Sequence, residues 1–159
     1  MIVMNDIEIY TDGSCIRNPG PGGWGAYIVY DANNHNMNQK LYGSNISTTN
    51  NRMELYAAIQ AISYIDSRSN IKLYTDSIYV QKGMTTWIKS WQKSGRLDAD
   101  NKALVLNADL WLMLLQLSNK HNIEWLWVKG HSNVAGNIIA DELANIGSRQ
   151  ALSKLIEEK

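Results

Sequence analysis

Cysteine is almost absent: the chain of 159 residues holds one, Cys15, so no internal disulfide can form. With only three histidines, His35, His121 and His131, no Cys/His set has zinc-finger spacing. Both absences point to a reducing compartment and exclude a structural zinc. An excess of charge is missing too, fifteen Lys plus Arg meeting fifteen Asp plus Glu for a net charge of zero. Total charge is therefore silent about nucleic acid, and only its distribution can speak. Leu110 to Leu115 is the longest unbroken apolar run in the middle of the chain, far short of the ~18 residues a bilayer requires. The start, Met1 to Asp6, lacks the basic flank and apolar stretch of a signal peptide. These features predict a cytoplasmic protein with no membrane partner. There is no internal repeat, no low-complexity tract, no linker-like segment and no signal of an oligomer interface, so the expectation is a monomer of one domain spanning 1–159.

What is present fits one ordinary globular domain: 45% apolar, 19% charged and 9% aromatic residues. Ile7 to Asp12 alternates apolar and polar before Gly13 and reads as a strand. Gly23 to Tyr30 and Gln39 to Ser44 read as two more, joined through the polar tip Asn33 to Gln39 in an antiparallel meander. From Asn51 to Ile65 the period becomes helical, with Leu55, Ala58, Ile59, Ile62 and Ile65 as one stripe and Thr48, Thr49 or Asn50 available as the N-cap. Ile71 to Asp76 repeats the first strand's pattern, and a strand returning after a helix implies parallel pairing. Helical periodicity follows over Ser77 to Trp91 and Asn107 to Lys120, then a fifth strand from Ile123 to Val128, a helix from Asn137 to Ile146 and a tail helix from Ala151 to Glu157. The expected fold is α/β: a mixed five-stranded sheet, three antiparallel strands then parallel ones, flanked by helices, in the order β-β-β-α-β-α-α-β-α.

If the first and fourth strands are neighbours, Asp12 and Asp76 meet at their C-terminal ends, where α/β sheets usually place ligands. Taken singly, an Asp before Gly or Ser is an ordinary turn residue. Glu54, expected in the first turn of the long helix, and Asp141 on the last helix are likewise unremarkable alone. Four carboxylates converging at one end of a sheet would repel unless cations neutralised them. Oxygen-only ligands suit Mg²⁺ or Mn²⁺, and two such ions suit in-line phosphoryl chemistry. His131 lies between the last strand and the helix of Asp141, where a histidine can shuttle protons. Gly20 to Gly25 formally satisfies G-x-G-x-x-G, but strand rather than helix follows, so it reads as a glycine-rich turn open to a large ligand. Lys82, Lys89, Lys93 and Arg96 come without an intervening acid and interleave with Trp87 and Trp91, a pattern able to follow a phosphate backbone.

On these residues the sequence resembles the bacterial type 1 ribonuclease H family. The matching stretches are YTDGS at Tyr10 to Ser14, NPGPGGWGA at Asn18 to Ala26, TTNNRMEL at Thr48 to Leu55, YTDS at Tyr74 to Ser77, VKGH at Val128 to His131 and DELA at Asp141 to Ala144. The resemblance implies the ribonuclease H-like fold and an endonuclease that cuts the RNA strand of RNA–DNA hybrids with two Mg²⁺ ions, Mn²⁺ substituting, leaving 3′-hydroxyl and 5′-phosphate ends. It makes Asp12, Glu54, Asp76 and Asp141 the metal ligands and His131 an aid to proton transfer or product release. It sets Cys15, Asn18, Asn50 and Asn51 against the hybrid's minor groove, where 2′-hydroxyls mark the RNA strand. Thr49 and Asn107 would hold a DNA phosphate, and Lys82 to Lys102, including Lys89, Lys93 and Arg96, would form the basic handle.

The sequence departs from the family pattern at a few places. Asp98 and Asp100 dilute the handle, Arg96 stands where an aromatic residue often occurs, Ser47 replaces a frequent arginine, and Ile78 replaces a polar residue. None removes a metal ligand, so the expectation is retained activity with weaker or more salt-sensitive binding. The expectation is a stand-alone catalytic domain without a hybrid-binding module before the first strand, its core over about 7–148. Two competing readings are a non-catalytic nucleic-acid-binding domain and another polynucleotide phosphotransferase of resolvase, transposase or integrase type. Clustered acids facing phosphates argue against the first, and the TTNNRMEL and VKGH stretches against the second.

Overall fold

The computed structural model describes residues 5–32, 34–98 and 100–157. Met1 to Met4 within the leader reading, Asn33 of the polar tip and Ala99 of the handle lie outside them. Three strands, β1 (Asn5–Cys15), β2 (Gly20–Ala32) and β3 (His35–Thr48), form the meander. Helix α1 (Asn50–Ser63) then leads to β4 (Ser69–Thr75). Next come α2 (Ile78–Lys82), a π-helical turn (Gly83–Trp87) and α3 (Ile88–Lys93). The chain closes with α4 (Ala108–Ser118), β5 (Asn122–Trp127) and α5 (Ala135–Glu157). The sheet order is β3-β2-β1-β4-β5, antiparallel across β1, β2 and β3 and parallel across β1, β4 and β5.

Alternation along β1 sends Ile7 and Ile9 into the core, where they meet Leu55, Ile59 and Ile62 of α1 and Trp111 and Leu114 of α4. Each such fully buried aliphatic side chain contributes roughly 1.5–3 kcal/mol, enough to hold α1 in place despite its polar N-terminal turn. Thr49 caps α1, its Oγ1 accepting from the Arg52 amide at 3.2 Å.

The structure corrects the sequence reading in four places. Glu54 lies in the second turn of α1, not the first, and is 4% exposed, so it serves no helix-dipole role. Gly20 to Gly25 belongs to β2 rather than to a turn open to ligand, because α5 crosses the glycines: a Cβ on Gly25 would lie 2.7 Å from the Ala144 amide. The segment Ser77 to Trp91 is broken by a π-helical turn at Gly83, where any Cβ would strike the Trp111 ring. The last two expected helices are one, because Gly147 does not stop α5 but lets it pass the backbone of Gly43.

Candidate active site

The parallel pairing of β1 and β4 ends at Thr11 and Thr75, so the next residues, Asp12 and Asp76, emerge side by side. Gly13 continues β1 against α1: a Cβ there would lie 2.5 Å from the Glu54 amide nitrogen. This close approach brings the Glu54 carboxylate to the two aspartates. One carboxylate oxygen from each of Asp12, Glu54 and Asp76 lies within 4.8 Å of the others. Asp141 comes from α5 on the other side and adds its negative charge to both Asp12 and Asp76.

Burial and mutual repulsion make this an expensive arrangement of charge. Asp12 is 5% exposed, and burial, with Asp76 and Asp141 adding to it, pushes its carboxyl up to about 8 against a partial offset from Glu54. Glu54 is raised well above the ordinary range, by burial first and then by Asp12. Asp76 is raised by burial and by Asp141, with Asp12 and His131 pulling the other way. The Gly13 amide donates to Asp12 Oδ1 at 2.9 Å, but Glu54 Oε2 is buried without a hydrogen-bond partner. An orphaned buried carboxylate oxygen beside the carboxylates of Asp12 and Asp76 fits a hard divalent cation, which would both bind it and neutralise the cluster.

The loop between β5 and α5 passes over this site. A Cβ on Gly130 would sit 3.1 Å from Asp76 Oδ2, and the next residue, His131, is exposed and in the left-handed region at φ 58°. Trp127 donates its indole N–H to the Asp76 carbonyl at 3.0 Å, fixing the turn after β4.

The expected substrate residues fall into three groups. Asn18 and Asn50 are joined where Asn18 Oδ1 accepts from the Asn50 amide at 2.9 Å, with exposed Asn51 next along α1. Cys15 lies close by, Sγ donating to the carbonyls of Gly20 and Thr48 at 3.5 Å. Thr49 and Asn107 are both tied to Arg52, which donates from its amide to Thr49 Oγ1 and from Nη1 to Asn107 Oδ1 at 3.1 Å. Asp109 grips the same guanidinium, accepting from Nη2 at 2.8 Å. Arg52 was visible in TTNNRMEL, but only its hydrogen bonds give it this linking role. Lys89, Lys93 and Arg96 are all exposed on or beside α3, and Arg96 Nε donates to the Ala103 carbonyl at 3.0 Å. Trp87 and Trp91 turn inward onto Tyr79 and Trp111, with ring centroids 6.0 and 5.3 Å apart. The lysines therefore face solvent over an aromatic foundation.

Comparison with known proteins agrees with this geometry. The family model described as RNase H matches residues 4–149. A ribonuclease H of Orientia tsutsugamushi is 53% identical over 92% of this chain and 84% of its own length. One of Hahella chejuensis is 49% identical over 95% of this chain and 99% of its own. Among solved structures, LC9-RNase H1, described as a type 1 RNase H with the type 2 active-site motif, superposes with a TM-score of 0.84 at 31% identity, covering 95% of this chain and 75% of that one. Fold, carboxylate cluster and sequence agree: the chain belongs to the ribonuclease H family.

Proposed function

We propose that this chain is an endoribonuclease that hydrolyses the RNA strand of RNA–DNA hybrids, and that Asp12, Glu54, Asp76 and Asp141 hold two Mg²⁺ ions for the reaction, with Mn²⁺ able to substitute. The single observation that carries the reading is the packing of Asp12, Glu54 and Asp76 oxygens within 4.8 Å, with Glu54 Oε2 buried and unpartnered. Such ions supply charge neutralisation, activation of water and stabilisation of the leaving oxygen in phosphodiester hydrolysis.

The protein's own residues do the rest. Asp12 and Asp76, fixed by adjacent strands, and Glu54, fixed by α1, hold the reacting phosphate's surroundings rigid. His131, on the loop above Asp76, accepts or delivers a proton on the leaving side. Cys15, Asn18, Asn50 and Asn51 present small polar groups to the minor groove and read 2′-hydroxyls. Asn107 Nδ2 donates to the Tyr79 hydroxyl at 3.1 Å and keeps a second hydrogen, which with Thr49 suits a phosphate of the DNA strand. Lys89, Lys93 and Arg96 supply the sequence-independent attraction to the backbone.

We read the chain as one domain over 1–159 acting as a monomer in the cytoplasm. No helix among the described residues is long and apolar enough to cross a membrane. The test is Asp76→Asn, which keeps the shape of the side chain and removes its charge. Cleavage of a labelled hybrid is expected to vanish while the folded signal and hybrid binding persist; near-normal turnover would contradict the proposal.

A further inference from the structure

We infer that Asn145 is a positioning residue that orients the Asp141 carboxylate toward the cation site, with its amide held the right way round by Ser14. The inference rests on the proposed role of Asp141 as a metal ligand. Asp12 and Asp76 are fixed by the sheet and Glu54 by burial, whereas Asp141 projects from α5 and is only half-buried. It therefore depends on an outside contact for its orientation.

Asn145 follows Asp141 by one helical turn, so the two side chains share a face of α5. Asn145 Nδ2 donates to Asp141 Oδ2 at 3.5 Å, while Asn145 Oδ1 accepts from Ser14 Oγ at 3.0 Å. The chemistry of the partners fixes this arrangement. An ionised carboxylate only accepts, so the amide nitrogen must face it, and the reversed amide would set two acceptor oxygens against each other. Ser148, 3% exposed, braces the same place: its Oγ donates to the Asn145 backbone carbonyl at 3.1 Å and lies 3.3 Å from Ser14 Oγ, farther than Asn145 Oδ1, the nearer acceptor for the single Ser14 hydroxyl hydrogen. Ser14 itself is held in register opposite Gly23 by the β1–β2 pairing. A rigid line thus runs from the sheet through Ser14 and Asn145 to Asp141. It occupies Oδ2, leaves the other oxygen for a cation, and adds no positive charge to compete with that cation.

The test is calorimetric titration of the full chain with Mn²⁺, without substrate, for the wild type, Asn145→Leu, Ser14→Ala, the double variant and Asp141→Asn. Asn145→Leu is expected to weaken Mn²⁺ binding ~10-fold, Ser14→Ala about threefold, and the double variant no more than Asn145→Leu alone. At saturating Mn²⁺ the KM for hybrid should stay within about twofold, since the pair orients a carboxylate and touches no nucleic acid. Wild-type Mn²⁺ affinity in Asn145→Leu, accompanied by a lower Tm, would overturn the inference and leave only a tie between β1 and α5. Unchanged Mn²⁺ affinity in Asp141→Asn would instead remove the metal-ligand assignment itself, and the inference with it.

Discussion

The most informative residues are those whose charge the fold makes costly. Asp12 ionises near 3.8 in an unfolded chain and near 8 in the folded one, so between those values the native state holds a proton that the unfolded state has lost. Stability of the metal-free protein from this group is therefore greatest below pH 3.8 and declines as pH rises toward 8. A divalent cation needs the deprotonated form, so its stabilising effect must grow in the same direction. Thermal melts should show a larger rise in Tm with Mg²⁺ or Mn²⁺ at pH 8 than at pH 6. Asp12→Asn should raise the metal-free Tm at pH 8 by roughly 2–8 °C, equivalent to about 1–2 kcal/mol of relieved repulsion in a domain of this size, while abolishing cleavage and the response to cation. A Tm unchanged by Asp12→Asn would mean that the cluster carries no such strain.

Among the elements, α5 places Asp141, and β2 lets it come close through glycine rather than through complementary side chains. Gly25→Ala should push α5 off the sheet, with a Cβ 2.7 Å from the Ala144 amide, lowering stability by roughly 1–3 kcal/mol and weakening Mn²⁺ binding along with it. Denaturant melts and the same calorimetry would measure both. This dependence explains what could be read in the chain and what could not. Asp12 and Asp76 were legible because each follows an alternating strand pattern, whereas Glu54, unremarkable alone, stood out only in company with the other acids and within the TTNNRMEL stretch. The continuity of α5 was hidden because Gly147 falls between the two expected helices and the Gly43 backbone that it passes is distant in sequence. The π-helical turn was hidden because its cause, the Trp111 ring on Gly83, is distant in sequence. At the far end of the sheet the start of β4 is held by Ser69, whose amide donates to buried His121 Nδ1 at 3.2 Å. Burial, Arg68 and Lys120 all lower the histidine's affinity for a proton, so its contribution is present above pH 6.5 and is lost as pH falls below it. Replacing it by Asn, which keeps an acceptor and cannot titrate there, should flatten the acid side of the Tm profile relative to wild type.

Over the whole molecule, a net charge of zero is resolved into an acidic cluster where the β1–β4 pairing ends and an exposed basic stretch on and beside α3. A polyanion is drawn by the second and cut at the first. Asp98 and Asp100 temper the attraction, so hybrid binding should be weaker at a given salt concentration than an undiluted basic stretch would give. Replacing Lys89 and Lys93 together by Ala should raise the KM for hybrid, leave kcat unchanged and reduce the slope of log KM against log salt by about 1 for each phosphate no longer neutralised. The central claim, that the acid cluster is a divalent-cation site devoted to the RNA strand of a hybrid, is tested most directly by one gel assay. A single labelled sequence is presented as RNA–DNA hybrid, duplex RNA, duplex DNA and single-stranded RNA, each with Mg²⁺ or with EDTA. The account predicts cutting of the RNA in the hybrid alone, and only with Mg²⁺; a hybrid left intact in Mg²⁺, or cut equally well in EDTA, would contradict it.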